Sequence, residues 1–301
     1  MIGLATAGFK KPAIIDNENR MTPVDRLALT YLRSVGAKSR WVDTSYGSLY
    51  NLELVGRGDL GTVVLIHGLS ARCSHFFGMV RRLRHHFSRL VIPDLLGHGF
   101  SPILSRPMRG PDVQQALDEV LDVLIDEPAV FYGNSLGGYC AIRYASRSPA
   151  QVRVLTVNSP GGGAFSGLSM EKYMNRFRVK TNREAMEFLD RYFGKRIPMK
   201  RLIARRVIQQ LNAPHIRSFI DEISMDDSIT AEQLSRLSMP VLFLWGQRDQ
   251  IVIPEQLDFF RNNLPRHARL EEPEGYGHAP YIEHPNHLST MLLDFIRSHP
   301  G

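Results

Sequence analysis

The alternation of short apolar runs with helical stretches is the feature that most constrains the fold of this chain. Continuous rather than alternating hydrophobicity is typical of strands that are buried on both faces, as in a parallel sheet. The runs are Val63–Ile66, Leu90–Ile92, Val130–Tyr132, Val152–Val157 and Val241–Trp245. The candidate helices lie near residues 74–86, 113–126, 136–147, 255–264 and 286–298. This order predicts an α/β fold with a mostly parallel, doubly wound sheet and helices on both faces.

Three segments depart from that alternation. Residues 1–40 are interpreted as an N-terminal extension with a short helix after Thr22-Pro23, and residues 40–55 alternate as a β-hairpin does. From residue 160 to about 238 there is no strong strand pattern, and the apolar residues recur at helical spacing. We therefore predict one core domain, residues 41–159 and 239–301, interrupted by a helical cap at 160–238.

Composition and cysteine content exclude several classes of protein. The chain is 43% apolar and 22% charged, as is usual for soluble globular proteins, so disorder is disfavoured. Its two cysteines, Cys73 and Cys140, have no spacing that suggests a disulfide framework or a zinc site. No stretch approaches the ~20 apolar residues of a membrane span, and the N-terminus lacks the order of a secretory signal. We expect a soluble, cytoplasmic protein without a metal or cofactor.

The net charge of +7 is concentrated in one segment. Residues 171–217 contain 13 Lys and Arg against 4 Asp and Glu. The basic residues at its centre, interspersed with apolar ones, are Lys200, Arg201, Arg205 and Arg206. Two interpretations stay open: a solvated helical surface, or a basic amphipathic helix that contacts an anionic membrane surface or attracts acidic substrates. No nucleic-acid motif accompanies the charge, so a nucleic-acid partner is not predicted.

A serine at a strand-to-helix turn carries the strongest chemical signal. The pattern G-x-S-x-G occurs in Gly133-Asn134-Ser135-Leu136-Gly137, directly after one strand and before a helix. In that context the serine occupies a strained turn that directs its hydroxyl away from the backbone. Glycine on either side leaves room for the strand and the helix to approach. The pattern predicts Ser135 as the nucleophile of a hydrolase.

A serine hydroxyl is a poor nucleophile at neutral pH and needs a base beside it. On such a fold the acid and then the histidine follow the serine along the chain. Asp249 lies in the loop after the run Val241–Trp245, and His278 lies in a glycine-flanked loop further on. Parallel strands place functional loops at their carboxyl ends. We predict that His278 takes and returns the serine proton, and that Asp249 orients its ring.

Competing residues fit these roles less well. His284 and His287 flank or enter the last helix, where a surface or capping role is expected. Asp94 precedes the serine, and Asn158 stands where an acid would follow the run Val152–Val157. Asp249 is therefore the best acid by elimination.

Acyl transfer also needs hydrogen-bond donors for the tetrahedral oxyanion. One is expected to be the backbone N–H of Leu136, immediately after the nucleophile, and the other the N–H of Leu69 in the turn His67-Gly68-Leu69-Ser70. His67 could be mistaken for a catalytic base. Its place before the turn predicts a structural hydrogen-bonding role instead.

Taken together, these motifs resemble those of the α/β-hydrolase family. The carrying residues are His67-Gly68, Pro93-Asp94-Leu95-Leu96-Gly97-His98-Gly99, the elbow from Gly133 to Gly138, Asp249 and Gly277-His278. The resemblance covers about residues 40–300 and implies a Ser-Asp-His triad on a core with a cap. A serine at the elbow differs from members with an aspartate nucleophile, such as haloalkane dehalogenases and epoxide hydrolases.

Gly-Asn-Ser-Leu-Gly-Gly is similar to the elbows of bacterial esterases, monoglyceride-lipase-like enzymes and carbon–carbon bond hydrolases of ring-fission products. The last group tends to have more polar, glycine-rich sequence after the His-Gly turn than Leu69–His75 provides.

The leading hypothesis is a hydrolase that cleaves carboxylic esters through an acyl-serine intermediate. A carbon–carbon bond or amide hydrolase with the same triad is the alternative, and a non-catalytic small-molecule receptor is the third. The candidate substrate-contacting residues are Asn134, His75, Phe76, Phe165 and Met174. For the last two, packing of the cap onto the sheet is the competing interpretation.

Overall fold

The computed structural model describes residues 21–165, 167–198 and 200–299, so the first half of the predicted N-terminal extension lies outside it. Eight strands form one sheet. They are β1 Lys38–Thr44, β2 Gly47–Val55, β3 Thr62–Ile66, β4 Arg89–Pro93, β5 Ala129–Asn134, β6 Val152–Asn158, β7 Val241–Leu244 and β8 Arg269–Glu271. The five apolar runs predicted as strands are confirmed, and each predicted end lies within two residues of the observed one.

The sheet is mostly parallel, as predicted. Its order is β1-β2-β4-β3-β5-β6-β7-β8. The hairpin β1–β2 is antiparallel, and so is the pair β2–β4, whereas all pairs from β4 to β8 are parallel. The chain reverses its direction of travel across the sheet at β3, which has β4 on one side and β5 on the other. In open α/β sheets, ligands bind at the carboxyl ends of the strands around such a switch point.

Twelve α-helices occur in the described residues. They are α1 Pro23–Ser34, α2 Phe77–Leu83, α3 Gly110–Leu124, α4 Leu136–Arg147, α5 Gly167–Asn175, α6 Asn182–Tyr192, α7 Lys200–Leu211, α8 Pro214–Asp221, α9 Ala231–Ser235, α10 Pro254–Asn263, α11 Pro280–Glu283 and α12 Pro285–Arg297. None of the helices in this part of the chain is both long and apolar enough to cross a membrane.

Two of the helices differ from the predicted bounds. The predicted helix 74–86 divides into a 3₁₀ turn, Cys73–Phe76, and α2. Helix α3 begins three residues before its predicted start, because Pro111 suits the first helical turn and the Asp112 carboxylate accepts a hydrogen bond from the Arg109 N–H at 2.8 Å.

The two faces of the sheet bury separate apolar clusters. Neighbouring residues of β5 show this alternation, since Phe131 packs with α3 and α4 on one face, and Tyr132 packs with α2 and α12 on the other. Both side chains are fully buried. The runs are continuously apolar because each face is covered by helices. Helix α1 contributes Leu29 and Leu32 to the second cluster.

Between β6 and β7 the described residues form helices and turns but no strand. A third apolar cluster lies here, built from residues of α5 to α8. Ile251, two residues after Asp249, also belongs to it. The segment therefore has its own small core, which contacts the loop after β7. The boundaries predicted for the cap fall in the connections after β6 and before β7.

Candidate active site

Ser135 occupies a strained turn between β5 and α4. Its backbone angles are φ 55° and ψ −116°, a conformation that is costly for a residue other than glycine. The turn is held by three backbone hydrogen bonds: the Ser135 N–H donates to Asn158 O at 3.0 Å, and Ser135 O accepts from the N–H groups of Tyr139 and Gly161 at 2.9 and 3.2 Å. The serine side chain borders the cavities described below.

The glycines around Ser135 allow backbones to approach closely. A Cβ atom on Gly133 would lie 2.3 Å from the carbonyl oxygen of Gly137. A Cβ atom on Gly137 would lie 2.2 Å from the carbonyl oxygen of Ile66 in β3. Neither neighbour is a flexible side chain that could move aside. The glycines on both sides of the serine are therefore a steric requirement of the turn, as the sequence suggested.

His278 and Asp249 form a buried pair. His278 Nδ1 lies 2.8 Å from Asp249 Oδ2, and the two side chains are 4% and 0% exposed. The other oxygen, Asp249 Oδ1, accepts from the Ile251 N–H at 2.8 Å. Because Nδ1 donates its proton to the carboxylate, the neutral ring carries its lone pair on Nε2, as a general base requires. His278 and Ser135 line the same small cavity.

Two residues that sequence reasoning did not select hold His278 in place. The backbone carbonyl oxygen of Tyr192, at the end of α6, accepts a hydrogen bond from the backbone N–H of His278 at 2.7 Å, and the Tyr192 ring contacts the imidazole edge-on at a centroid distance of 5.2 Å. Asn158 donates from Nδ2 to His278 O at 3.3 Å and to Asn134 Oδ1 at 3.0 Å. Asn158 stands at the end of β6, a position the sequence analysis considered for the acid and set aside in favour of Asp249, and it bridges the elbow and the histidine loop.

A buried carboxylate links the histidine loop to the helical segment. Glu283 Oε1 accepts from the Gly194 N–H at 2.9 Å, and Oε2 accepts from the Gly277 N–H at 3.3 Å. A Cβ atom on Gly194 would lie 2.2 Å from Gly275 O, so the two backbones are in close contact. Burial raises the pKa of Glu283, while these backbone donors oppose the shift. No motif in the sequence marks Glu283 or Gly194, because their partners are distant along the chain.

Arg176 stabilises the loop that carries the acid. Its Nη1 atom donates to the carbonyl oxygens of Gln250, Ile251 and Val252 at 2.5, 3.0 and 3.3 Å. The arginine follows α5, so a residue of the helical segment fixes the backbone next to Asp249.

The two expected oxyanion donors lie on either side of the serine. Leu136 is the first residue of α4, where backbone N–H groups have no intrahelical acceptor. Leu69 follows Gly68, and a Cβ atom on Gly68 would lie 3.2 Å from Ser135 Cβ. Leu69 and Leu136 line the larger cavity together with Ser135. The turn that contains Leu69 and the first turn of α4 therefore both lie next to the Ser135 side chain.

His67 has the structural role that the sequence predicted. Its Nδ1 donates to Gly68 O at 2.8 Å, and its Nε2 accepts from the Leu95 N–H at 3.1 Å. Burial holds the pKa of His67 well below its usual value, so the ring is neutral. Both ring nitrogens are occupied in bracing the turn that contains Leu69.

The larger cavity beside Ser135 contains about 760 Å³ of empty space, part of it open to solvent, and is mostly apolar. Its wall opposite the sheet comes from the segment between β6 and β7 and includes Phe165, Met170, Tyr173, Phe177, Phe219 and Ile223. The ring of Tyr173 contacts the rings of Phe165 and Phe177 at centroid distances of 5.7 and 5.3 Å. Phe165 therefore lies where a substrate-contacting residue was predicted.

The position of Met174 differs from the prediction. Met170 and Tyr173 of α5 line the cavity, and so does Phe177, which lies two residues after the helix ends. Met174 is not among the residues that line the cavity. It packs into the internal cluster of the helical segment.

His75 and Phe76 also differ from the prediction. After Ser70 the chain enters the 3₁₀ turn Cys73–Phe76, which packs against α1 and α11. There His75 Nε2 pairs with Asp25 Oδ1 at 2.8 Å. Phe76 is fully buried, with its ring 4.8 Å from that of Tyr281. The cavities at Ser135 are lined by other residues.

Asn134 lies in the elbow itself, but its side chain is fully buried and bonded to Asn158. Asn134 therefore differs from the prediction, because it lines neither of the cavities at Ser135.

The sequence matches the model of a known protein family. The model of the alpha/beta hydrolase family matches residues 63–288, which is most of the chain. This chain belongs to the alpha/beta hydrolase family. The chain is 27% identical to Lipase 1 of Psychrobacter immobilis over 238 residues. That alignment covers 73% of this chain and 72% of the lipase.

A second relative matches over its whole length. The chain is 27% identical over 277 residues to the pimeloyl-[acyl-carrier protein] methyl ester esterase of Xanthomonas axonopodis pv. citri, covering 83% of this alpha/beta hydrolase and 100% of the esterase. The crystal structure of naproxen esterase from Bacillus subtilis superposes with a TM-score of 0.75 at 21% identity, over 95% of this chain and 100% of that one. At that identity the likeness concerns the fold.

Proposed function

We propose that this alpha/beta hydrolase is a serine hydrolase of carboxylic esters, with Ser135, His278 and Asp249 as its catalytic residues. The observation that carries the proposal is the buried His278–Asp249 pair, whose histidine borders the same cavity as a serine held at a strained turn. The names of its relatives, a lipase and a methyl ester esterase, support the same reaction class.

In the first half of the reaction, Ser135 Oγ attacks the ester carbonyl carbon while His278 Nε2 takes the hydroxyl proton. The carbonyl oxygen becomes an oxyanion, which accepts hydrogen bonds from the backbone N–H groups of Leu136 and Leu69. Asp249 stabilises the imidazolium. When the intermediate collapses, the carbon–oxygen bond to the alcohol breaks, and His278 returns the proton to the departing alkoxide.

In the second half, water takes the place of the alcohol. His278 accepts a proton from the water as its oxygen attacks the acyl-serine carbonyl. Collapse breaks the bond to Ser135 Oγ, which regains the proton, and the carboxylic acid leaves. The backbone donors act in both halves, because each half passes through an oxyanion at the same place.

The apolar cavity formed with Phe165, Met170 and Tyr173 is proposed to hold the acyl group. Burial of hydrocarbon there is worth about 0.8 kcal/mol per CH₂ group, so longer acyl chains gain affinity until the cavity is filled. The carbon–carbon, amide and receptor alternatives are not favoured by the relatives. A cytoplasmic location and contact with an anionic membrane stay predictions of the sequence.

A chain-length series of p-nitrophenyl esters tests the proposal. We expect turnover of several of these esters by the wild-type protein, with kcat/KM rising from acetate towards medium chains. Ser135→Ala should reduce kcat by roughly 10⁵–10⁶. Ser235→Ala, at an exposed serine of α9, is the matched control. Turnover by Ser135→Ala equal to that of the control would exclude the assigned nucleophile.

A further inference from the structure

A second cavity lies between the core and helices α7 and α8. It encloses about 820 Å³ of empty space, part of it open to solvent. On the core side it is lined by Ser70–Arg72 and Gly97–Gly99, and on the helical side by residues that include Arg206 and His215. Ser70 directly follows Leu69, so this cavity and the active-site cavity share one turn of the chain.

Arg72 provides a buried positive charge with unused donors. Its residue is 7% exposed, and its Nε and Nη1 atoms have no hydrogen-bond partner among the described residues. Buried guanidinium donors without acceptors are costly, and their presence calls for an explanation such as a bound ion. The nearby carboxylates do not supply the acceptors, because Asp25 bonds His75 and the Asp94 oxygens accept from the N–H groups of Cys73 and Phe100.

His98 provides a buried acceptor. Its Nδ1 donates to Leu96 O at 2.9 Å, and burial lowers the pKa of His98 to about 4, so the neutral ring carries its lone pair on Nε2. That Nε2 atom is buried, has no partner within the described part of the chain, and belongs to a residue that is 4% exposed. The site therefore combines cationic donors with one acceptor.

The helical side adds further basic groups. Burial, and then the charge of Arg72, lower the pKa of Arg206, so the two guanidinium groups act on each other across the cavity. His215 lies close enough to His98 to oppose its protonation. An anion between the two sides would offset this repulsion and would contact both the core and the cap.

We propose that this cavity binds a phosphate group. Hydrogen phosphate has anionic oxygens that accept from Arg72 and Arg206, and it has an O–H that His98 Nε2 accepts. A carboxylate would satisfy the arginines but would offer no donor to His98. The phosphate group comes either from free inorganic phosphate or from a phosphorylated ester substrate whose acyl group lies at Ser135. The second source rests on the proposed ester hydrolysis.

Binding of inorganic phosphate, measured by isothermal titration calorimetry at low ionic strength, tests the site without any turnover. We expect saturable binding that weakens roughly tenfold or more in Arg72→Met and in Arg206→Met, which alter opposite sides of the cavity. Arg205→Met, at an exposed arginine of α7, is the matched control and should bind as the wild type does. Acetate should bind more weakly than phosphate.

A pair of matched esters distinguishes the two sources. The kcat/KM ratio of butyryl glycerol phosphate to butyryl glycerol should fall in Arg72→Met if the phosphate belongs to the substrate. It should equal the wild-type ratio if the site holds free phosphate. The absence of saturable phosphate binding, or equal binding by all three variants and the wild type, would overturn the proposal. Failure of ester hydrolysis would leave the calorimetric result intact, so the two proposals fail separately.

Discussion

The two sides of the cavity at Ser135 are built on different principles. On the sheet side, the position of each group is set by backbone contacts: a serine at positive φ, glycines at which a Cβ atom would meet a carbonyl oxygen, and a buried His278–Asp249 hydrogen bond. On the helical side, the wall consists of apolar side chains of α5, α8 and the segment before α5, which pack against one another. The first side requires particular residues, whereas the second requires only apolar volume.

This difference predicts how each side responds to substitution. Changes on the sheet side should abolish catalysis or folding, because no neighbouring atom can take over the lost contact. Changes on the helical side should alter substrate preference while the protein stays folded, because apolar packing tolerates exchange of similar volumes. The following substitutions test that contrast, beginning with the largest expected effect.

Asp249→Asn should lower kcat by about 10⁴. An amide at this position can donate to Nδ1 and so stabilise the wrong tautomer, and it cannot stabilise the imidazolium. The esterase assay with a p-nitrophenyl ester measures the effect. Asp258→Asn, an exposed carboxylate of α10, is the control and should change kcat little. A loss of less than tenfold in Asp249→Asn would mean that the acid is elsewhere.

Gly137→Ala should lower the free energy of unfolding by about 3 kcal/mol or more. The new Cβ would lie 2.2 Å from Ile66 O, so β3 and α4 would have to separate. Urea denaturation measures the change. Gly161→Ala is the matched control, because no atom lies within 4 Å of its added Cβ. Equal stability of the two variants would show that the close approach at the elbow is not required.

The same contrast explains how far the sequence could be interpreted. The elbow, Asp249 and His278 could be proposed from the sequence because the chemistry proposed for them imposes residue types at fixed places relative to strands. The sheet and the helices of the core were identifiable because burial on both faces leaves continuous apolar runs. His75, Phe76, Asn134 and Met174 differ from the prediction because residues of these types fit a cavity wall or the protein interior equally well, and only the packing of segments distant along the chain decides between them. Glu283 and Gly194 escaped notice because their partnership joins segments 89 residues apart.

Phe165→Ala should change chain-length preference more than overall activity. Removal of the ring enlarges the apolar cavity and takes away a contact with Tyr173. We expect kcat/KM for medium-chain esters to fall roughly tenfold relative to that for acetate. Leu202→Ala, an exposed apolar residue of α7, is the control. An unchanged chain-length profile in Phe165→Ala would place the acyl group elsewhere.

Glu283→Gln should have the smallest effect on kcat of these substitutions. Glu283 joins the histidine loop to the helical segment, so the substitution leaves the catalytic residues and the apolar wall themselves unchanged. A Gln amide can accept from one of the two N–H groups but presents a donor to the other, so we expect kcat to fall a few-fold through a less well positioned His278. The substitution should also change the pH dependence of stability. Burial raises the pKa of Glu283 above its usual 4.5, so the folded protein holds this proton more tightly than the unfolded chain.

The sign of that dependence follows directly. As the pH rises through 4.5, the unfolded chain ionises first, and the stability contributed by protonated Glu283 declines. The stability advantage of the wild type over Glu283→Gln should therefore shrink as the pH rises from acidic to neutral. Glu274→Gln, at an exposed position, should show no such trend. Urea denaturation at several pH values measures it, and an advantage that grows with pH would contradict the assignment.

The most direct test of the account is to locate the acyl group of the covalent intermediate. The enzyme is mixed with p-nitrophenyl butyrate, quenched in acid within the first turnover, digested and analysed by mass spectrometry. The account predicts a butyryl adduct on Ser135, formed together with a burst of nitrophenol and absent from Ser135→Ala. An adduct on another residue, or an equal burst from Ser135→Ala, would contradict it.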